Sequence, residues 1–366
     1  MKIIQLVQKP QLRGAEIFAC QLSNHLMELG HEVLVISIFE GDAKLPFRGK
    51  TINLDRNINK RFFDFSGWMQ FNKIIKDFKP DVIQSNAADT LKFAVSSKLL
   101  FSWKHPLVYR NANKMSDFIN SKLKWRLNNF YLSKVNYVIS VSKECEKDFL
   151  KTFNFPKQKI ETVEIGVEDQ NIGDIPSDLL EIFKRGPVLA HIGGFVPEKN
   201  HKGLIAIFNK VLKVHPKTQL FLLGKGKLQD EVKKQVSDLG IQDDVHFLGY
   251  RNDVLEILKF SEAFVLPSLI EGLPAVILEA MYCETPVVAY NVGGIGEVVI
   301  SGKTGWLPEK GDEEDFEKSL KEVLQKGQDG QRKVANAKQM ISEKFINIKI
   351  AKRFYAAYQK ALGQLE

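Results

Sequence analysis

Nine consecutive residues, EGLPAVILE from Glu271 to Glu279, hold two carboxylates eight positions apart around Gly272, Leu273 and Pro274. On one continuous helix they would lie about 80° apart in azimuth and about 12 Å apart along the axis, too far to share one small group. Gly272 and Pro274 argue against that helix, because glycine weakens a helix interior and proline suits its first turn. The stretch reads instead as a strand AFVLP, a loop SLIEGL and a helix from Pro274 through Tyr282. Glu271 then stands on a loop at a strand's C-terminal end, where open α/β sheets take ligands. The amides of Ala275, Val276 and Ile277 open the helix without intrahelical partners and can meet a phosphate. Glu279 lies one to two turns further on, as a carboxylate able to accept two hydrogen bonds from sugar hydroxyls.

Other stretches end strands in the same way. HIGGFVPEKN offers Gly193 and Gly194 for close backbone approach and Lys199 either as a point charge within reach of a diphosphate or as a plain surface lysine. GKG at Gly224–Gly226 and FLGYR at Phe247–Arg251 add glycine-terminated loops. Turn chemistry alone explains each glycine taken singly, whereas several such loops on one sheet edge form a ligand-facing surface. Near the start, QLRGAE puts Gly14 at a helix N-terminus, where a small anion or sugar can approach or where the glycine is a plain N-cap. It lacks the three-glycine dinucleotide fingerprint, which disfavours a nicotinamide or flavin site.

The elements that must position these residues alternate between short β-branched runs and longer amphipathic ones. KIIQLV, AEIFACQLSNHLMEL and HEVLVISI are followed by DVIQS, PLVYR, NYVIS and KIETVEI, the rhythm of a parallel sheet flanked by helices. In the first helix Ile17, Cys20, Gln21, Leu22, Leu26 and Leu29 mostly keep a 3.6-residue period, and Gly30 closes it. A second set runs through PVLAHIGG, TQLFLLG, VHFLG, EAFVLPS and PVVAY. Between the sets, GVEDQNIGDIPSDLLEIFKRGP is polar, holds glycine and proline, and breaks the alternation. Near the end, FINIKIAKRFYAAYQKAL spaces Ile350, Phe354, Tyr358 and Leu362 as one apolar helical stripe. From spacing alone that helix either closes the second domain or crosses back to the first.

With 366 residues, 44% apolar and 26% charged, the chain suits two soluble globular cores. No apolar run approaches the roughly 18 residues of a membrane span, and the start is too short in apolar residues for a secretory signal, so a cytosolic protein is expected. Cys20, Cys145 and Cys283 are far apart and odd in number, which fits buried thiols better than a disulfide framework or a metal knuckle. The net charge of +8 is unevenly divided, since residues 1–165 carry 26 Lys and Arg against 16 Asp and Glu. Such a basic half suits an anionic membrane face, a phosphate-bearing acceptor or nucleic acid, or is a solvated lysine-rich surface. No aromatic RNA-binding signature accompanies it, so nucleic acid is not expected.

In this order the pieces resemble the retaining nucleotide-sugar glycosyltransferases of family 4. The most specific part is PSLIEGLPAVILEAMYCETPVVAYNVGGIGEVV, supported by HIGGFVPEKN, LLGKGKL, FLGYRNDV and RGAE...GHEVLVIS. The resemblance covers almost the whole chain. It implies the α/β GT-B fold: two Rossmann-like doubly wound domains facing a central cleft, with the C-terminal helix returning to the N-terminal domain. The expected divisions are an acceptor domain at 1–168, a linker at 169–186, a donor domain at 187–343 and the returning helix at 344–366. Carried over by position, Glu271 faces the donor sugar's hydroxyls, Glu279 the nucleotide ribose and Lys199 the diphosphate. The amides after Gly272, including those of Leu273, Ala275 and Val276, assist. The glycine loops at Gly193, Gly194 and Gly224 border the donor, Tyr250 and Arg251 border the base largely through backbone, and Gly14 lets the first domain close over phosphate and sugar.

Two positions depart from the family pattern. Gly194 stands where an arginine is usual, so one diphosphate cation is missing. After PLVYR, where many members have a histidine, the chain reads RNANK. Asn111 or Asn113 occupies that place, able to hydrogen-bond a sugar or acceptor but not to act as an imidazole base. Arg110 either replaces the lost charge or is a structural arginine.

The resemblance implies transfer of a sugar from a nucleotide diphosphate sugar, UDP-sugars favoured, to a hydroxyl with retention at the anomeric carbon. Asn111 and Asn113 join Glu271 and Lys199 as catalytic candidates. No Asp-x-Asp metal motif is evident, and neither metal nor cofactor is expected. The acceptor implied is a lipid-linked or saccharide hydroxyl in bacterial surface polysaccharide or lipopolysaccharide assembly, with peripheral contact to the inner membrane face through the basic first domain. Two alternatives remain open: a non-hydrolysing nucleotide-sugar epimerase on the same scaffold, separated by a product assay on donor alone, and a catalytically silent nucleotide-binding partner subunit, separated by binding without turnover.

Overall fold

The computed structural model describes residues 1–61 and 63–364. The chain divides into two compact units, Met1–Glu168 together with Ile346–Glu366, and Asp169–Phe345.

The first unit is built on seven parallel strands, β1 (Lys2–Val7), β2 (Glu32–Phe39), β3 (Lys50–Arg56), β4 (Val82–Ser85), β5 (Leu107–Asn111), β6 (Tyr137–Ser140) and β7 (Ile160–Thr162), in the order β3-β2-β1-β4-β5-β6-β7. Central strands are continuous buried runs, as a sheet covered on both faces requires. The connecting helices are α1 (Gly14–Glu28), α2 (Phe65–Phe78), α3 (Ala88–Phe101), α4 (Lys122–Leu132) and α5 (Lys143–Thr152). Gly30 takes a left-handed φ of 87° and closes α1, with Gly30 N–H donating to the Met27 carbonyl and His31 N–H to that of Leu26. This pair of bonds is the Schellman arrangement, which satisfies two orphan carbonyls.

The C-terminal helix α13 (Asn347–Ala361) belongs to this unit and packs on α1. Its stripe Ile350, Phe354 and Tyr358 is fully buried, with the Phe354 ring 5.6 Å from that of Phe18. Tyr358 also closes a buried ring of hydrogen bonds. Its hydroxyl accepts from Gln5 Nε2 at 3.0 Å and donates to Gln84 Oε1 at 2.8 Å; Gln84 donates to Asn86 and Asn86 to Gln5, each at 2.9 Å. Every member of such a ring is satisfied, so the register of α13 on β1 and β4 is specified and not merely greased.

The second unit has five parallel strands, β8 (Val188–Ile192), β9 (Gln219–Leu223), β10 (Val245–Gly249), β11 (Ala263–Leu266) and β12 (Val287–Ala289), ordered β10-β9-β8-β11-β12. Around it lie α6 (Leu180–Arg185), α7 (His201–Val214), α8 (Gln229–Asp238), α9 (Val254–Phe260), α10 (Ala275–Tyr282), α11 (Glu313–Leu324) and α12 (Gln328–Lys344). The polar stretch before β8 is ordered: a 3-10 turn at Ser177–Leu179 leads into α6, and Leu179 is buried with Val188, Phe221 and Ile257. The alternation breaks there because a short helix replaces a strand. The cysteines Cys20, Cys145 and Cys283 are free and buried. Among the described residues no helix is long and apolar enough to cross a membrane.

Candidate functional site

All five strands of the second unit run parallel, so their following loops gather at one edge. Backbone contacts lock these loops together. Gly193 N–H donates to the Leu223 carbonyl at 2.9 Å, Gly224 N–H to Gly249 at 2.6 Å, and Phe195 N–H to Lys225 at 3.2 Å. Gly224 has φ 130°, and a Cβ there would lie 2.2 Å from the Gly193 carbonyl oxygen. Only glycine lets the loops after β8 and β9 approach this closely.

Lys199 ends a 3-10 turn, Pro197–Lys199, one residue before the left-handed Asn200 that caps α7 through its side chain. That asparagine also donates to the Pro267 carbonyl at 3.1 Å, and Leu269 N–H donates to the Glu198 carbonyl at 2.7 Å. The turn after β8 is thereby fixed to the loop after β11. Across this junction Lys199 Nζ meets Glu271 Oε1 at 2.5 Å, with both side chains mostly buried. The two residues assigned to diphosphate and sugar therefore form one charge-assisted pair.

Helix α10 begins at Ala275, with Pro274 extended before it and no side-chain cap. Ile277 N–H donates back to the Pro274 carbonyl at 3.2 Å, leaving the amides of Ala275 and Val276 as the open donors of the first turn. Glu279 follows one turn later, partly buried, its carboxylate free of hydrogen bonds among the described residues. Burial pushes its carboxyl up to about 7. Tyr250, half exposed, has its phenol raised by burial and by the nearby Glu279 charge. Arg251 beside it is fully engaged: its guanidinium meets Asp253 at 2.8 and 2.5 Å and Asp178 at 2.6 and 3.1 Å. Hydrogen bonds to Asp178, then to Asp253, favour the charged guanidinium and occupy its donors.

Gly194 is less constrained than Gly193. A Cβ on Gly193 would press Lys199 Cδ at 3.2 Å and His191 Nε2 at 3.3 Å, whereas one on Gly194 meets only the Lys225 carbonyl at 3.4 Å. The place where an arginine is usual is therefore sterically open.

Three further residues shape the site: His191 and Gly293 lie within the quoted stretches, and His201 stands one residue after HIGGFVPEKN. His191 is buried and its Nδ1 donates to the Val265 carbonyl at 2.8 Å, leaving Nε2 without a partner below Gly193. His201 stacks on Phe195 at 4.0 Å and lies edge-on to His191. Burial, then the Lys199 charge, lowers His201 to about 4, and burial holds His191 well below its usual range. Both rings are thus neutral and add no charge beside Lys199. Gly293, with φ 56°, would bring a Cβ within 2.0 Å of the Glu271 carbonyl oxygen, and Gly294 N–H donates to Gly272 at 2.5 Å. The loop after β12 thereby holds the Glu271–Gly272 backbone. The paired glycines in NVGGIGE were the available signal.

In the first unit Gly14 is the exposed first residue of α1, with open space where a Cβ would project. Asn111 is fully buried at the end of β5, its amide nitrogen donating to Ser140 Oγ at 3.2 Å and the Cys145 carbonyl at 3.3 Å. Asn113 is exposed two residues later. Arg110 is buried with its guanidinium 4.4 Å from the Phe18 ring centre, and Nε and Nη1 have no hydrogen-bond partner. Burial lowers its pKa to about 10, opposed by the nearby Glu16 carboxylate, whose own pKa burial raises. Arg110 and Asn111 are thus interior groups in this unit, while Asn113 faces solvent.

Comparison with known proteins gives two family matches in chain order: residues 12–171 match Glycosyltransferase Family 4 and residues 178–340 match Glycosyl transferases group 1. An uncharacterised glycosyltransferase of Methanocaldococcus jannaschii is 27% identical over 59% of this chain and 57% of its own length. The UDP-Gal:alpha-D-GlcNAc-diphosphoundecaprenol alpha-1,3-galactosyltransferase of Escherichia coli is 25% identical over 71% of this chain and 70% of its own. Among solved structures, Anabaena HepE in complex with UDP-glucose superposes with a TM-score of 0.84 at 20% identity, covering 98% of this chain and all of that one. Together with the paired parallel sheets, these matches identify the chain as a member of the family 4 glycosyltransferases with the GT-B fold.

Proposed function

We propose that the chain transfers a sugar from a nucleotide diphosphate sugar, UDP-linked in the first instance, to an acceptor hydroxyl with retention at the anomeric carbon. The observation that carries this reading is the Lys199–Glu271 pair beside the uncapped start of α10. The donor diphosphate is an anion that competes with Glu271 for Lys199 and accepts from the Ala275 and Val276 amides. Glu271, released from part of its pairing, accepts from the sugar hydroxyls, and Glu279 accepts from the ribose. Tyr250 and the Arg251 backbone border the base. Gly193, Gly194, Gly224, Gly272 and Leu273 supply close-approaching backbone.

As the bond between the anomeric carbon and the diphosphate oxygen breaks, negative charge grows on the leaving group. Preorganised Lys199 and the helix amides stabilise it. The acceptor oxygen bonds to the same face of the sugar, and its proton passes to the leaving phosphate, so no imidazole base is needed. Asn113 on the first unit is the exposed polar group for orienting the acceptor. Charge neutralisation by Lys199 supports a reaction that proceeds without a metal. A lipid-linked acceptor is supported by the galactosyltransferase relative, whose named acceptor is alpha-D-GlcNAc-diphosphoundecaprenol, and a UDP donor by that relative and by the UDP-glucose complex of HepE.

Nucleotide release by the purified chain, with a panel of UDP-sugars and acceptors and with chelator present, tests the assignment. Lys199→Ala is expected to lower kcat/KM by about 100- to 1000-fold, the usual loss for one oxyanion-stabilising donor. Undiminished release by both Lys199→Ala and Glu271→Ala sinks it.

A further inference from the structure

Each cation so far assigned to the donor edge of the second unit is balanced by a carboxylate. Lys199 meets Glu271, and the Arg251 guanidinium is divided between Asp178 and Asp253. Glu279 adds a further acid on α10. Together these side chains offer an arriving nucleoside diphosphate no net positive charge. The open amides of α10 supply dipoles only, and a multiply charged anion that leaves water for such an edge needs a cation of its own.

Lys225 meets that need. It is the middle residue of GKG, between the end of β9 and the turn into α8, and it is exposed. Its ammonium has no hydrogen bond or ion pair among the described residues. The backbone beneath it is fixed on both sides. Gly224 N–H donates to the Gly249 carbonyl at 2.6 Å, and Gly226 packs so closely that a Cβ there would lie 2.5 Å from the Phe195 carbonyl oxygen. The Lys225 carbonyl itself accepts from Phe195 N–H at 3.2 Å and stands 3.4 Å from where a Gly194 Cβ would project.

From this anchor the stem runs towards the loop after β10, with Cε 3.5 Å from the position of a Cβ on Gly249. The side chain thus spans from the loop that carries Gly194 to the one that carries Gly249 and Tyr250. A donor with its sugar at Glu271 and its base at Tyr250, as proposed above, has its phosphates in between. Phosphate oxygens are the part of such a ligand that best complements an ammonium. Lys227, two residues on, is also exposed but belongs to the turn that opens α8.

We propose that Lys225 is a second diphosphate-binding cation, brought in from the loop after β9, and that it supplies the positive charge for which Gly194 has no side chain. The proposal rests on the nucleotide diphosphate reading of the site and adds to it a residue from a different loop.

Calorimetric titration of the full chain with UDP and with uridine tests it, GDP with guanosine and ADP with adenosine serving as the other pairs. Lys225→Met keeps the stem and removes the charge. It should weaken the diphosphate by about 10- to 100-fold, the yield of one hydrogen bond between charged groups. Affinity for the nucleoside and the ligand-free Tm should not move, because the residue is exposed. Lys225→Arg should retain most of the diphosphate affinity and Lys227→Met all of it. Diphosphate binding by Lys225→Met at the parent's affinity overturns the proposal alone. Equal weakening of diphosphate and nucleoside gives the ammonium to the base, and equal weakening by Lys227→Met reduces the effect to the general field of the edge; either also overturns it. A parent chain that binds none of the three diphosphates removes the reading of the site and the proposal with it.

Discussion

Lys199 and Glu271, 72 positions apart in sequence, meet at 2.5 Å where the loops after β8 and β11 join. A pair this sheltered leaves an uncompensated charge when one partner is removed. Lys199→Met and Glu271→Gln should each lower stability, and the double variant should cost less than their sum, with a coupling of about 1 to 3 kcal/mol in denaturant unfolding. Strict additivity would mean that the two side chains do not interact in solution. On the proposed function, in which Lys199 also meets the diphosphate, added UDP should raise the Tm of the parent chain more than that of Lys199→Met.

Glu279 sets a pH dependence. Burial raises its carboxyl from 4.5 to about 7, with Tyr250 and Cys283 as titratable neighbours. A raised acid stabilises the folded chain fully below the unfolded value, and that contribution is lost as pH rises through about 7. With Glu279 accepting from the ribose, as proposed, binding needs the carboxylate form, so UDP affinity should increase with pH through the same interval, with proton release on binding. Calorimetry in buffers of differing ionisation enthalpy reads that release directly, and Glu279→Gln should abolish it together with the pH dependence of affinity.

The glycines of the donor edge are not equivalent. Gly194→Arg sets its Cβ in ordinary contact with the Lys225 carbonyl at 3.4 Å and adds a cation to the loop that carries Lys199, so on the proposed function it should tighten UDP binding by about ten-fold, the yield of one charge-assisted hydrogen bond. Gly224→Ala, at φ 130° and 2.2 Å from the Gly193 carbonyl oxygen, should instead destabilise the second unit and weaken binding. Equal tolerance of both changes, by unfolding and by titration, would contradict the loop packing described above.

In the first unit, Tyr358→Phe keeps the ring of the side chain but leaves Gln5 and Gln84 each short of a partner inside the sheet. The expected loss is about 1 to 3 kcal/mol. Phe354→Ala, which empties a fully buried site against Phe18, should cost about 3 to 5 kcal/mol. Tyr358→Phe at parent stability would show the hydrogen-bonded ring to be dispensable.

Periodicity revealed the elements well because the signals were local. The β-branched runs of both sheets, Gly30 at the end of α1 and the loop-then-helix reading of EGLPAVILE all rest on neighbours within a few residues. What could not be read depends on partners far along the chain. Nothing near Asn111 shows that Ser140 and Cys145 draw it inside while Asn113 stays exposed. Asp178, 73 positions before Arg251, decides that this guanidinium is occupied. The polar composition before β8 gave no warning of α6, whose few apolar residues suffice because Leu179 lands in a core assembled from β8, β9 and α9. KLKWRL is strongly basic in sequence, and nothing near Trp125 shows that its indole N–H donates to the Thr152 carbonyl, 27 positions on.

The hydrogen-bonded ring around Tyr358 also separates the order of synthesis from the order of completion. Asp169–Phe345 is one uninterrupted run and has all its strands when its last residue leaves the ribosome. The first unit has its seven strands long before that, but Gln5, Gln84 and Asn86 wait for a tyrosine that emerges after the entire second unit. The unit translated first is therefore the last to mature, and until then it carries an uncovered Phe18 and an unsatisfied polar pocket that a chaperone can recognise.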